Sequence, residues 1–300
     1  MKIVMSAASG YIGTALVPAL RADGHEVVRL VRREVRAADE RRWDPARREL
    51  DPAHLSGADA VIHLSGANIG DRRWSKAFKC TLVDSRIDST ETMAAAIAAA
   101  DAPPRVLLSA SGINYYGDMG DRLLDESAPV GSGFFAELCQ RWENATLAAE
   151  QAGTRVVHLR SAPVFGPKGG ILKPLALLFK FGAGGRLGSG RQYTPWISLR
   201  DQVDAIRFLL GADDITGPVN LVGPEPATNA DFTKAFAATV HRPAILVVPR
   251  FALRAVTGEL ADEAILASVR AEPAALLKHG YTFHDQDVRS ALRWAFGRPG

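Results

Sequence analysis

Between Ser6 and Gly13 the chain reads Ser6-Ala7-Ala8-Ser9-Gly10-Tyr11-Ile12-Gly13, with Ala7, Gly10 and Gly13 at a three-residue spacing. The run follows an apolar stretch at 2–6 and leads into helical spacing of Ile12, Leu16 and Leu20. A strand that turns through small residues into a helix aims unpaired amides and the positive end of the helix dipole at the turn. That chemistry holds a phosphate or pyrophosphate. Small residues let the backbone approach it, and Gly13 lets helix and strand pack closely. The next strand ends at Val31-Arg32-Arg33. An acid there would bond a ribose 2′-hydroxyl and repel a 2′-phosphate; an arginine pairs with the phosphate through charge-assisted bonds. Arg32 at this place predicts the phosphorylated dinucleotide, NADP(H). Arg33 either assists it or faces water.

Other chemistries are not encoded. The seven histidines, His25, His54, His63, His158, His241, His279 and His284, stand singly and give no metal-ligand spacing. No G-x-S-x-G elbow and no Walker lysine occurs, which excludes the hydrolases and NTPases built on them. Two cysteines, Cys80 and Cys139, fit a reducing, cytoplasmic compartment. A net charge of +3 without a run of like charges gives no nucleic-acid footprint. No long apolar stretch predicts a membrane span, and the N-terminus reaches the Ser6–Gly10 run too soon for a signal peptide.

The elements that must position these residues alternate. Strands are expected at 2–6, 26–31, 58–64, 105–109 and 155–159, and helices at 11–23, 75–100 and 134–151. Strand and helix in alternation predict an α/β fold: a Rossmann-type, doubly wound parallel sheet with helices on both faces. The charged run 29–48 reads as a solvated face. Beyond Gly166, glycine and proline rise, and helical pieces follow at 172–181, 201–210, 229–240, 251–256, 262–269, 273–279 and 285–296. This predicts a nucleotide-binding core at 1–166 to which later segments return. A substrate-side region is expected at 167–247 and a small helical C-terminal domain at 248–300. Asp201 is expected to cap the helix it opens, and Trp196 to line core or pocket.

Several motifs together carry a resemblance. They are Tyr11-Ile12-Gly13, Leu64-Ser65-Gly66-Ala67-Asn68-Ile69, Arg72-Arg73-Trp74, Asp84-Ser85-Arg86-Ile87, Ser109-Ala110-Ser111 before Tyr115-Tyr116-Gly117-Asp118, and 136–143 ending in Glu143. Gly188-Ser189-Gly190-Arg191-Gln192, Trp196-Ile197, Gly217-Pro218-Val219-Asn220-Leu221 and Gly258-Glu259-Leu260-Ala261-Asp262-Glu263 extend them. The chain resembles the atypical, epimerase-like group of extended short-chain dehydrogenase/reductases with a small C-terminal domain. The resemblance covers nearly the whole chain and implies NADP(H) as cofactor, without naming a substrate. It places Ala7, Gly10, Tyr11, Ile12 and Gly13 on the pyrophosphate and Arg32 on the 2′-phosphate. Ser65, Gly66 and Ala67 fall beside the adenosine-side ribose and pyrophosphate, and Arg86 reaches over the cofactor. Ser109 and Ala110 border the nicotinamide side, and Arg160, Ser161 and Ala162 open the loop that covers it. Ser65 and Ser161 also suit strand-end capping.

The same resemblance exposes a gap. That superfamily moves protons with Ser, Tyr and Lys, the lysine one helical turn beyond the tyrosine, where it lowers the phenol's pKa and holds the ribose. No Y-x-x-x-K occurs here. Counted from Glu143, Phe135 takes the tyrosine position and Cys139 the lysine position. Ser111 matches the serine that orients a substrate oxygen. Three outcomes stay open. Tyr115, Tyr116, Glu137 or Cys139 replaces the acid; substrate or water supplies the proton; or the chain binds NADP(H) without chemistry, as a regulator or scaffold. The expected function is an NADP-dependent oxidoreductase or epimerase-like enzyme on an unidentified small molecule, with Ser111 and Tyr116 as candidate catalytic residues. A homodimer is compatible with this. Relatives that grip a sugar diphosphate place an arginine where Thr194 aligns; Arg186 and Arg191 stand nearby.

Overall fold

The structure is a computed structural model. It describes residues 1–167 and 169–297; Lys168, in the Gly-Pro-rich run, and residues 298–300 lie outside it. Largely apolar, β-branched runs, joined by the charged β3, form a seven-stranded sheet: β1 (Lys2–Met5), β2 (Glu26–Val31), β3 (Glu40–Arg42), β4 (Ala60–His63), β5 (Val106–Gly112), β6 (Arg155–Ser161) and β7 (Gly217–Leu221). Their spatial order is β7-β6-β5-β4-β1-β2-β3. β1 pairs in parallel with β2 and with β4, β2 with β3, and β4 with β5. The order reverses between β1 and β4, and ligands of open α/β sheets bind beyond the carboxyl ends at such a switch. The helices are α1 (Gly13–Ala22), α2 (Lys76–Ala98), α3 (Phe134–Asn144), α4 (Leu147–Gln151), α5 (Leu172–Lys180), α6 (Leu199–Gly211), α7 (Asn229–Val240), α8 (Arg250–Thr257), α9 (Ala274–Lys278) and α10 (Val288–Ala295).

The chain forms two compact units that interleave in sequence. The first takes Met1–Ser111, Leu138–Leu159 and Ile206–Pro218. Its core packs Val4, Val28, Val61, Leu107 and Val156 from five strands against Met93 and Ile97 of α2. The second takes Gly112–Glu137, Arg160–Ala205 and Val219–Gly300. Its aromatic core joins Phe165, Phe179, Trp196, Phe232 and Phe236 to Leu292 of α10.

Four local readings are corrected. The helix expected at 134–151 is two helices, because the Thr146 hydroxyl donates to Glu143 O at 2.8 Å and lies 3.0 Å from His158 Nε2. A side chain that bonds its own preceding turn competes with helical continuation. The run 29–48 contains β3, whose Glu40 is only 2% exposed because arginines neutralise it, and the buried Trp43. Asp201 does not cap α6: Ser198 Oγ accepts its N–H at 3.2 Å, and the Asp201 carboxylate accepts from the backbone N–H of His284 and Asp285. The helix expected at 262–269 is a short π-helical turn, Ala261–Ile265, after which Arg270–Ala271 pairs in parallel with Leu123–Leu124.

Candidate functional site

The first unit builds a cradle where β1 ends. Gly10 N donates to Ala7 O at 2.9 Å and closes a turn in which Ala7 adopts φ +53°, the left-handed region where glycine is favoured. A Cβ at Gly13 would stand 2.3 Å from Ala7 O and 2.8 Å from Ala8 C, so only glycine fits where α1 begins. Ile12 sits at the N-cap without a side-chain bond; Thr14 N and Ala15 N close onto Gly10 O and Ile12 O at 2.9 and 3.1 Å, while the N–H groups of Ile12 and Gly13 make no bond to a described residue.

The Tyr11 hydroxyl of this turn and Ser109 Oγ of β5 are buried without a hydrogen-bond partner among the described residues. Burial raises the Tyr11 pKa. Orphaned buried hydroxyls require a partner that the protein does not supply. With the glycine-only turn, they fit a polar ligand such as a dinucleotide.

The two arginines after β2 differ. Arg33 forks onto Glu40 at 2.6 and 2.9 Å. That pairing, reinforced by the Arg36 N–H, pulls the Glu40 carboxyl down to about 2. Arg32 is exposed and makes no bond to any described residue. Arg32 is therefore available to a ligand and Arg33 is not.

A buried polar network holds the loop after β4. Leu64 N and Ser65 Oγ both donate to Ser6 Oγ, at 3.1 and 3.0 Å. Ser6 Oγ lies 2.9 Å from Nδ1 of His63, whose Nε2 lies 3.1 Å from Thr90 Oγ1 and 3.2 Å from Ser89 Oγ. Trp142 Nε1 donates to Thr90 at 2.9 Å. Burial alone pushes His63 down to about 3, so the imidazole is neutral. Sequence reading missed Ser6, Thr90 and this role of His63; only their position at strand and helix ends hinted at it. Ala67 N donates to Ser85 Oγ at 3.0 Å and Ala67 O accepts from Arg86 at 3.0 Å. Gly66 is exposed beside the Arg86 guanidinium. Ala110 is half-buried on β5, and at its end Ser111 Oγ donates to the Glu143 carboxylate at 2.7 Å.

In the second unit, Tyr116 is fully buried. Its hydroxyl contacts Asn220 Oδ1 at 2.8 Å and Asp125 O at 3.0 Å, and accepts from Arg160 Nη1 at 3.0 Å. Burial, opposed by Arg160, pushes its pKa up to about 12. The Arg160 guanidinium sits 3.5 Å from the centre of the Tyr115 ring. Ser161 Oγ accepts from Gln202 at 3.0 Å, and Ala162 N donates to Leu221 O. Glu137 is exposed. Phe135 is 5% exposed, and its N–H donates to the Glu263 carboxylate at 3.1 Å. Thr194 Oγ1 is buried without a partner among the described residues, Arg191 is exposed, and Arg186 lines a cavity of about 450 Å³ with Thr233 and Lys234.

Among the described residues no three His, Cys, Asp or Glu side chains group as metal ligands, and no helix is long and apolar enough to cross a membrane.

Fold and cradle define a Rossmann-type nucleotide-binding protein. Residues 3–237 match the NAD dependent epimerase/dehydratase family, and residues 248–295 match a domain of unknown function, DUF1731. The chain belongs to that epimerase/dehydratase family, in its atypical extended short-chain dehydrogenase/reductase branch. It is 48% identical to epimerase family protein Mb2239 of Mycobacterium bovis over 99% of this chain and 98% of that one. It is 33% identical to epimerase family protein SDR39U1 of Homo sapiens over 98% of this chain and 99% of that one. The crystal structure of human SDR39U1 with NADPH superposes with a TM-score of 0.90 at 33% identity, covering 99% of both chains. A nucleoside-diphosphate sugar epimerase from Corynebacterium glutamicum superposes at 0.83, also 33% identical, over 99% of this chain and 58% of that one.

Proposed function

We propose that this chain is an NADP(H)-binding oxidoreductase or epimerase-like enzyme that acts on a small molecule without the Tyr-x-x-x-Lys pair. The observation that carries the cofactor reading is the division of labour after β2. Glu40 ties Arg33 down, while Arg32 stays open for a 2′-phosphate. The human relative crystallised with NADPH supports the same reading. Bound, such a cofactor supplies hydride transfer. Ala7, Gly10, Tyr11, Ile12 and Gly13 hold its pyrophosphate, with Ser65, Gly66 and Ala67 alongside. Ser109, Ala110, Arg160, Ser161 and Ala162 serve the nicotinamide side. Cys80 and Cys139 form no disulfide among the described residues, which supports a reducing, cytoplasmic compartment.

Arg32→Asp should weaken NADPH by about tenfold or more, because it replaces a charge-assisted pair with repulsion, and NADH far less. Equal losses for the two cofactors in calorimetric titrations would contradict this.

A second reading, an NADP(H)-binding regulator without chemistry, is favoured by specific geometry. Phe135 cannot trade a proton, the Ser111 hydroxyl is engaged by Glu143, and the Tyr116 hydroxyl is held by neighbours on every side. Turnover of NADPH against a panel of carbonyl compounds separates the two. Turnover that Ser111→Ala reduces supports the enzyme; tight NADPH binding with no turnover supports the regulator.

A further inference from the structure

We propose that Arg86 of α2 supplies, from a different element, the cation that the missing lysine would bring to the nicotinamide half of the dinucleotide. This rests on the NADP(H)-binding reading above. Cys139 holds the lysine position, so α3 presents a thiol where the superfamily presents an ammonium. Arg86 lies beside it. Its guanidinium sits 4.9 Å from the centre of the Trp142 ring, and Trp142 follows Cys139 by three residues, about one helical turn. Its Cζ would be 3.4 Å from a Cβ at Gly66, which places it against the loop that follows β4 at the switch in strand order.

The burial of Arg86 calls for a ligand. The residue is 9% exposed. Nη1 donates to Leu82 O at 3.1 Å and Nη2 to Ala67 O at 3.0 Å, both neutral carbonyls. Two of the five N–H groups of a guanidinium are thus used. Among the described residues no carboxylate pairs with it, whereas Arg29, Arg33 and Arg155 each have at least one. Burial lowers its pKa and the neighbouring Cys139 opposes that. A buried cation without a counter-charge is costly unless an anion or several hydrogen-bond acceptors arrive. The carbonyl bonds and the indole face fix the planar group, so its remaining donors are pre-organised. Phe135 leaves no phenol whose pKa needs lowering. The lysine's other task remains, holding the nicotinamide ribose and neutralising the phosphate that adjoins it.

The test uses full-length protein and three ligands: NADPH, NADH and adenosine 2′,5′-bisphosphate, which keeps the adenosine-side 5′-phosphate but lacks the nicotinamide-side phosphate and ribose. Arg86→Met should weaken NADPH and NADH alike, by about tenfold or more, and change the bisphosphate by less than about twofold. Arg86→Gln keeps a hydrogen-bond donor without the charge and is read in the same way if the methionine variant melts early. Adding Cys139→Lys to either should recover at least about threefold, since the charge returns on the other element. A purely structural arginine would not be rescued. The proposal is overturned if the bisphosphate weakens as much as NADPH, or if both charge-removing variants bind NADPH as tightly as the unaltered protein. Failure of the unaltered protein to bind any of the three would remove the NADP(H) reading itself, and the proposal with it.

Discussion

Arg32 and Arg33 are neighbours of identical chemistry with opposite fates. Neutral water-facing solvation would suit both, yet Arg33 is drawn onto Glu40, because a nearly buried carboxylate needs a charge partner. His63 shows the converse, a titratable group kept neutral by burial and satisfied by hydroxyls. Its folded pKa of about 3 lies below the ordinary histidine value of 6.5, so the unfolded chain binds a proton that the folded chain refuses. The stability it permits is complete above pH 6.5 and is lost progressively as pH falls toward 3. Its largest slope is about 1.4 kcal/mol per pH unit. Urea denaturation at pH 6.5 and pH 5, about where ordinary carboxylates begin to titrate, should show this slope in the unaltered chain and a shallower one in His63→Gln. Equal slopes would rule out the neutral imidazole.

The cradle at the start of α1 depends on strand, turn and helix together. Ala7 stands where a glycine is expected and adopts a left-handed φ all the same, so the turn is set by the strand and helix around it. Ala7→Gly should keep NADPH binding and relieve local strain. Gly13→Ala should destabilise by about 1–3 kcal/mol and lose most NADPH affinity, because its Cβ would strike Ala7 O at 2.3 Å. Thermal melts with and without NADPH measure both; a Gly13→Ala protein that melts and binds normally would contradict the geometry. This turn was legible because period, small residues and the helix start agree. β2 and α7 were readable to the residue for the same reason. β3 was not, because arginine and acid mask a strand whose burial depends on pairing with β2. The break after α3 was not, because it depends on where Thr146 meets His158. The Ser6–His63–Thr90 network joins residues far apart in sequence, and no local pattern announces it.

For the whole molecule, the interleaving of the two units limits how it can be cut. Within the second unit, the segment beyond 248 supplies Glu263 to Phe135 N and Ser268 to Met119 N, Gly120 O and Tyr193 N. Asp285 takes a fork from Arg200 at 2.6 and 2.8 Å. A fragment ending at 247 would leave these groups unpaired, and it should lose the cooperative melt of the full chain. A cooperative transition of unchanged midpoint in that fragment would show that the C-terminal segment is an appendage.

In the proposed function, the turn after β1 holds a dinucleotide whose 2′-phosphate meets Arg32. Calorimetric titration of the full chain with NADPH and NADH tests it most directly. Saturable one-site binding of NADPH is expected, about tenfold or more tighter than that of NADH. Folded protein that takes up neither, or prefers NADH, would contradict it.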